Sequence, residues 1–140
     1  MDKPIMKARK KPEFLTEVEL EFMNQLWALG EASVRDVLDH LAPDRNLAYT
    51  SGATILRILS DKGFAISTKR GKTFYYRPAL AKDTYQTRSL QNLSAKLFDD
   101  APAQLVARLV DDAGLSAEAL EEIRALLDRR LGNGSDKDHS

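Results

Sequence analysis

The chain has 140 residues and a formal net charge of zero, with 21 basic and 21 acidic side chains. Its length allows one ordinary domain or a small domain with an appendage, which excludes large multidomain enzymes. There is no cysteine, so disulfides, thiolate metal sites and thiol nucleophiles are excluded. The two histidines, His40 and His139, belong to no recognisable catalytic motif, so we expect no enzymatic activity, no metal and no cofactor. No apolar run is long enough to span a membrane and no secretion signal is present, which predicts a soluble, cytoplasmic protein.

The zero net charge hides an uneven distribution along the chain. Residues 1–80 contain 13 Lys and Arg against 10 Asp and Glu, whereas residues 81–140 contain 8 against 11. Between residues 45 and 77 there are seven basic residues and a single acid, Asp61. A locally basic segment is therefore present in a chain whose average charge argues against a nucleic-acid partner.

Three short helices are predicted in the first half of the chain. Thr16 and Glu19 form a capping-box pattern that begins the first helix, and Ser33 begins the second. The third is predicted from Tyr49 to Lys62, and Gly52 within it should weaken its first turn by about 1 kcal/mol relative to alanine. Apolar residues then recur at helical spacing on one side of this third helix.

A β-hairpin and three further helices are predicted after the third helix. The β-prone runs 64–68 and 73–77 flank a basic turn that contains Gly71, which is typical of a hairpin. Amphipathic helices follow from Lys82 to Phe98, from Pro102 to Gly114 and from Ser116 to Leu131. The polar residues 132–140 are predicted to form a disordered tail.

Helix, short helix, helix and basic hairpin in this order are typical of a winged helix-turn-helix, predicted here over residues 13–80. The predicted fold is therefore mainly α with a small β-hairpin wing, followed by a helical dimerisation region over residues 81–131. The third helix would enter the major groove of DNA and read bases with its outward face. The predicted base-reading residues are Thr50, Ser51, Ala53, Thr54 and Arg57.

Phosphate contacts are predicted from two basic clusters. Lys69, Arg70 and Lys72 lie at the tip of the hairpin, where three positive charges among four residues would repel one another in the absence of DNA. Residues 1–12 form a flexible basic arm, in which Arg9, Lys10 and Lys11 either stay solvated or add further phosphate contacts.

The C-terminal helices carry a wide apolar stripe that a domain of this size cannot bury completely, which favours pairing with a second copy. The alternative is that they fold back on their own winged domain. The predicted dimerisation residues are Leu90, Leu93, Leu97, Phe98, Leu105, Leu109, Leu120, Ile123 and Leu127.

Several short motifs resemble the penicillinase-repressor family of winged-helix regulators. They are residues 15–19 (LTEVE), 26–27 (LW), 34–37 (VRDV), 48–50 (AYT), 59–63 (LSDKG), 76–78 (YRP) and, in the last helix, 114–116 (GLS) with 120–123 (LEEI). The resemblance implies a homodimeric transcriptional repressor that binds inverted-repeat operators on double-stranded DNA. In some members repression is relieved by proteolysis downstream of a membrane sensor, at an Asn-Phe bond that aligns here with Arg108-Leu109.

Two other functions remain open from the sequence. A winged helix can serve as a protein-interaction module without DNA binding, in which case the acidic C-terminal half would face a basic partner. A regulator that senses a small molecule is the other alternative, and an apolar pocket would favour it. Binding of the isolated chain to a duplex discriminates the first alternative from the repressor.

Overall fold

A computed structural model describes the backbone of residues 14–139 and the side chains of residues 14–132. The elements in chain order are α1 (Glu17–Leu29), β1 (Ala32–Ser33), α2 (Val34–His40), α3 (Tyr49–Asp61), β2 (Ala65–Arg70), β3 (Thr73–Pro78), α4 (Lys82–Leu97), α5 (Pro102–Asp112) and α6 (Ala117–His139). The prediction of a mainly α fold with a β-hairpin wing is confirmed. The helices of this described part are all too short or too polar to cross a membrane.

Two capping boxes fix the starts of α1 and α2, as the sequence predicts. The Glu19 N–H donates to Thr16 Oγ1 at 3.2 Å, and the Thr16 N–H donates to Glu19 Oε1 at 2.9 Å. Ser33 and Asp36 exchange the same pair of hydrogen bonds at the start of α2. Each box satisfies two backbone donors that a helix start otherwise leaves unpaired, so the positions of both helix starts follow directly from the sequence.

The chain divides into two compact units, one ending at Ser89 and the other beginning at Leu90. The first unit contains the winged helix-turn-helix, and its core is formed by α1, α2, α3 and the sheet. Its largest fully buried side chains are Phe22, Met23, Leu26, Val37, Leu56 and Leu59. Those of α1 and α3 recur at helical spacing, and Val37 is on α2, so burial of one stripe sets the orientation of α1 and of α3.

The sheet has the order β1-β3-β2, with both pairs of strands antiparallel. The sequence analysis missed β1, because a strand of two residues has too short an alternation to be recognised. Ala32 lies opposite Tyr76 in this pairing, and Ala65 of β2 lies on the same face of the sheet. All three are buried, so this face is the one that packs on the core.

Gly52 lies at a close approach of α3 to α2. A Cβ atom added at this position would be 3.1 Å from Leu38 Cδ2 and 3.4 Å from Leu38 Cγ. The interpretation of Gly52 as a weak point of the helix is therefore incomplete, because the residue allows the two helices of the helix-turn-helix to pack. Its low helix propensity is the cost of that close approach.

Tyr85 belongs to the core of the winged unit, although it lies within residues 81–131, which the sequence predicts as the dimerisation region. Its hydroxyl accepts a hydrogen bond from the Leu15 N–H at 2.8 Å, and its ring contacts Phe14, Trp27 and Phe64. The first turns of α4 are consequently part of this unit. The boundary lies after Ser89, nine residues beyond the predicted end at residue 80.

The second unit consists of the end of α4 together with α5 and α6. The Ser116 side chain accepts from the Ala119 N–H at 3.0 Å and so caps the last helix, which the sequence predicts to begin at this residue. The structure continues α6 to His139, so residues 132–139 of the predicted disordered tail are helical. Continuation of an existing helix needs no new nucleation, so the helix extends in spite of the glycines in this segment.

An ion pair joins α1 to the end of α3. Lys62 Nζ lies 3.0 and 2.9 Å from the two carboxylate oxygens of Glu19, which is one of two buried polar residues in the described part of the chain. Burial by itself raises the pKa of Glu19, but the Thr16 N–H and the Lys62 ammonium more than offset this and lower it overall. The pair therefore stabilises the fold above the ordinary carboxylate pKa, and its contribution is lost as the pH falls through the lowered value.

We expect Lys62→Met to lower the free energy of unfolding at pH 7 by about 1.5–3 kcal/mol, because it leaves a buried carboxylate without its cation. The pH dependence supplies a second readout. The wild type should lose stability as Glu19 protonates at acidic pH, and the variant should lose less over the same range. Urea unfolding between pH 3 and pH 7 measures both, and parallel profiles for the two proteins would contradict this role of the pair.

We expect Gly52→Val to lower the free energy of unfolding by about 1–3 kcal/mol, because its side chain overlaps that of Leu38. Gly132→Val is the matched control, since a Cβ at that helical position meets nothing within 4 Å. The control should stay within about 0.5 kcal/mol of the wild type. Equal urea midpoints for wild type and Gly52→Val would show that the close approach imposes no constraint.

Candidate nucleic-acid interface

The side chains of α3 separate into a buried and an exposed face. Gly52, Leu56 and Leu59 are buried against the rest of the winged unit. Thr50, Thr54 and Arg57 are exposed at the positions i, i+4 and i+7, and Ser51 is exposed beside them. Four of the five residues predicted to read bases therefore lie together on one solvent-facing surface, which we call the α3 outer face.

Ala53, the fifth predicted base-reading residue, is placed differently. It is only partly exposed and packs against the hydrophobic core. The helical wheel predicted it on the outward side because Ile55, Ile58 and Leu59 were taken as the centre of the buried face. The observed centre lies at Gly52, Leu56 and Leu59, which rotates Ala53 toward the core.

The α3 outer face combines small polar groups with one long cation. Thr54 Oγ1 donates to the Thr50 carbonyl at 2.9 Å, so the Thr54 side chain offers its oxygen lone pairs and its methyl group to a ligand. Arg57 is exposed, and no ion pair to it is found among the described residues. A guanidinium in this setting is suited to bidentate pairing with a base edge or a phosphate.

A tyrosine of the sheet, Tyr76, is buried in the same hydrophobic core as Leu56 and Leu59 of α3. Burial raises the pKa of the Tyr76 hydroxyl, Tyr49 and Asp61 add to the increase, and the Arg57 guanidinium opposes it. The sheet and the inner side of α3 therefore share one core.

The cations of the wing lie on opposite faces of the hairpin, which is a departure from the sequence prediction. The predicted four-residue turn is in fact a two-residue turn, Gly71 and Lys72, and both Lys69 and Arg70 belong to β2. Since side chains alternate along a strand, the two adjacent cations point in opposite directions. Lys69 lies opposite Phe74 on the face that carries the buried Ala65 and Tyr76, and Arg70 lies on the other face.

The two faces give these cations different surroundings. Lys69 Nζ lies 5.6 Å from the centre of the Phe74 ring and stays exposed. Arg70 forms an ion pair with Glu31 at 2.6 Å. Lys72 is exposed in the turn. Lys69 and Lys72 are therefore the wing cations best placed for phosphate, whereas the charge of Arg70 is already compensated.

The structure adds one cation that the sequence analysis did not single out. Arg35 of α2 places its guanidinium carbon 5.6 Å from the centre of the Tyr49 ring, at the first residue of α3. Both residues are exposed. Arg35 and Tyr49 are 14 residues apart in the sequence, so no local sequence pattern predicts that they meet. Their contact depends on the packing of α2 on α3. The remaining predicted phosphate contacts, Arg9, Lys10 and Lys11, lie outside the described residues.

A family model described as penicillinase repressor matches residues 15–129, which is most of the chain. The chain belongs to the penicillinase repressor family. This family member is similar to MecI of Staphylococcus aureus strain Mu50, with 24% identity over 116 residues that cover 83% of this chain and 94% of MecI. It is also similar to the regulator BlaI of Mycobacterium tuberculosis, with 28% identity over 124 residues that cover 86% of this chain and 88% of BlaI.

An uncharacterised 16.5 kDa protein of Latilactobacillus sakei is 28% identical over 123 residues, covering 88% of this chain and 84% of that protein. Among solved structures, Bacillus licheniformis BlaI bound to the blaP half-operator aligns with a TM-score of 0.45 and 25% identity over 54% of this chain and 92% of that chain. The archaeal chromatin protein TrmBL2 aligns with a TM-score of 0.43 and 23% identity over 81% of this chain and 37% of that chain.

In this penicillinase repressor family member, none of the predicted dimerisation residues is buried within its own chain. Leu90, Leu93, Leu97, Leu109, Leu120 and Leu127 are exposed, and Phe98, Leu105 and Ile123 are partly exposed. Over residues 90–132 the only buried residue is polar, Ser94. The second unit therefore has amphipathic helices without a buried apolar core of their own.

Proposed function

We propose that the chain is a sequence-specific, DNA-binding transcriptional repressor that acts as a homodimer on inverted-repeat operators. The α3 outer face is the observation that carries this proposal. Small polar side chains and one exposed arginine project from a helix that is held on its other side by the core, which fits entry into a major groove. Membership of the penicillinase repressor family supports the same function. A DNA partner also places the protein in the cytoplasm, and the proposed function includes no catalytic step.

Each part of the interface has a distinct role in the proposal. Arg57 pairs with guanine O6 and N7, while Thr50, Ser51 and Thr54 contact thymine methyl groups, base edges or phosphate. Lys69 and Lys72 of the wing bind phosphate without sequence preference. Arg35 adds a phosphate contact from α2, with the Tyr49 ring restricting its position beside the start of α3. The first helix of a helix-turn-helix commonly crosses the DNA backbone in this way.

The second copy is proposed to cover the apolar faces of the C-terminal unit. Leu97 and Leu131 are 70% exposed, and Leu90 is 54% exposed. An apolar surface of this extent on three successive helices is typical of an interface. A second copy of the chain fits this apolar surface best, because a two-fold dimer also supplies the second α3 outer face that an inverted repeat requires.

The proposal does not extend to release by cleavage at the bond between Arg108 and Leu109. That bond joins residue types different from the Asn and Phe that the family resemblance implies, and it lies within α5. Arg108 forms an ion pair at 2.8 Å with Asp112, which lies one helical turn later in α5. A protease acting there would first have to unwind this part of the helix.

We expect Arg57→Ala to cost about 1–3 kcal/mol on a duplex selected from a random library, and to relax the preference at one base position per half-site. Lys72→Ala and Arg35→Ala should weaken binding to selected and random duplexes alike. Fluorescence anisotropy on both duplexes measures the difference. An equal loss on the two duplexes for Arg57→Ala would exclude a base-reading role.

The electrostatic part of the proposal predicts a steep salt dependence. If about eight phosphates are neutralised per dimer, the logarithm of the binding constant should fall against the logarithm of the salt concentration with a slope near −7. Lys72→Ala should reduce the magnitude of that slope by about 2, since each dimer loses two contacts. A slope close to zero for the wild type would contradict binding through phosphate.

We expect the wild type to sediment with twice the 15.7 kDa mass of one chain, and Leu127→Glu to sediment as a single chain. A buried carboxylate in an apolar interface has no partner and is strongly unfavourable. Leu20→Glu is the matched control, because Leu20 is an exposed leucine of the winged unit. It should leave the mass unchanged, and a dimeric Leu127→Glu variant would contradict the proposed interface.

A further inference from the structure

Arg70 connects all three strands of the sheet on the face that points away from the core. It leaves β2, its guanidinium carbon lies 4.6 Å from the centre of the Tyr75 ring on β3, and its Nη2 donates to Glu31 Oε1 at 2.6 Å. Glu31 immediately precedes β1. We call this arrangement of Arg70, Tyr75 and Glu31 the wing clasp.

Few other contacts hold the tip of the wing. β1 pairs with β3 only through Ala32 and Ser33, opposite Tyr76 and Tyr75. Beyond this point, the backbone pairing of Lys69 to Phe74 involves only β2 and β3, and Phe74 is 47% exposed. A two-stranded hairpin without a packed face is only marginally ordered in water, so a contact that reaches back to β1 matters for its position.

The clasp is ionised on both sides at neutral pH. The hydrogen bond from Arg70 lowers the pKa of Glu31, partial desolvation opposes this, and the charges of Arg70 and Arg77 lower it further. The pKa of Arg70 is raised, chiefly by its hydrogen bond to Glu31. The pair as a whole is therefore neutral and adds little to the attraction of a phosphate backbone.

We propose that Arg70 is a positioning residue, which acts through Glu31 and Tyr75 to hold Lys69 and Lys72 where they contact phosphate. The proposal rests on the DNA-binding function above. In this proposal Glu31 contributes to DNA binding although its negative charge would repel phosphate. Arg70 itself does not contact the DNA. Lys69, one residue away on the opposite face, stays a direct contact.

Exchanging the charges of Arg70 and Glu31 distinguishes a positioning role of Arg70 from a direct contact between Arg70 and phosphate. Arg70→Glu alone places two carboxylates together, which should release the tip of the wing and weaken binding to the selected duplex by about tenfold. The double variant Glu31→Arg/Arg70→Glu rebuilds the pair in reverse and should bind within about threefold of the wild type. If Arg70 itself contacts phosphate, the double variant stays as weak as Arg70→Glu, and the inference is overturned.

Lys69→Glu provides the matched control, because it changes the charge at the adjacent position by the same amount. Glu31→Arg should not restore its binding, since Lys69 lies on the other face of the hairpin. Restoration there would show that only the summed charge of the wing matters, which also overturns the inference.

Amide hydrogen exchange in the absence of DNA gives a readout independent of binding. Exchange over residues 69–73 should be faster in Arg70→Glu than in the wild type and return to the wild-type rate in the double variant. Unchanged exchange in Arg70→Glu would overturn the positioning role. A wild type that binds no duplex would overturn the proposed function itself, whereas a failed charge exchange in a protein that binds duplex overturns this inference alone.

Discussion

The close packing of α3 on α2 and the sheet is the constraint on which the rest of the winged unit depends. Gly52 permits the approach to Leu38, and Leu56 and Leu59 fill the space behind it. Because the buried stripe fixes the rotation of the helix, it also determines which residues remain outside. Thr50, Thr54 and Arg57 are exposed as a consequence of how the core is packed. The same close contact brings Arg35 beside Tyr49.

Charge is distributed so that the protein can be neutral overall and still attract DNA. Exposed basic residues of the winged unit include Arg57 on the α3 outer face, Arg35 on α2, and Lys69 and Lys72 at the tip of the wing. The acidic excess lies in the C-terminal residues 81–140. This acidic excess would discourage indiscriminate binding, while short-range contacts at the α3 outer face are hardly affected at physiological salt. Net charge alone is thus a poor guide to the partner of this chain.

The sequence predicted the parts of the structure that local patterns determine. The capping box of α1, the start of α2 at Ser33, and the order of the helices and the hairpin follow from residues that lie within a few positions of one another. That order alone predicted the winged helix-turn-helix, and the family motifs added the family. Ala53 was assigned to the wrong side because an error of a few tens of degrees in the rotation of a helix moves a small residue between exposed and partly buried.

The features that the sequence could not predict depend on residues that are distant in the chain. The contacts of Tyr85 with Leu15 and Trp27 join α4 to the winged unit across 70 and 58 positions. The separation of Lys69 from Arg70 depends on the register of β2 and β3, and the pairing of Arg70 depends on Glu31, 39 residues away. A count of charges in the turn treats the three cations as equivalent, although strand alternation makes them different.

We propose that two copies of the chain read a repeated DNA sequence with the α3 outer face. Selection of bound duplexes from a random library, performed with the wild type and with Arg57→Ala, tests this proposal most directly. We expect an inverted repeat whose half-sites are separated by about one helical turn, 10–10.5 base pairs, or a multiple of it, with one position per half-site relaxed in the variant. Recovery of sequences without any common repeat, or the same preference from both proteins, would contradict it.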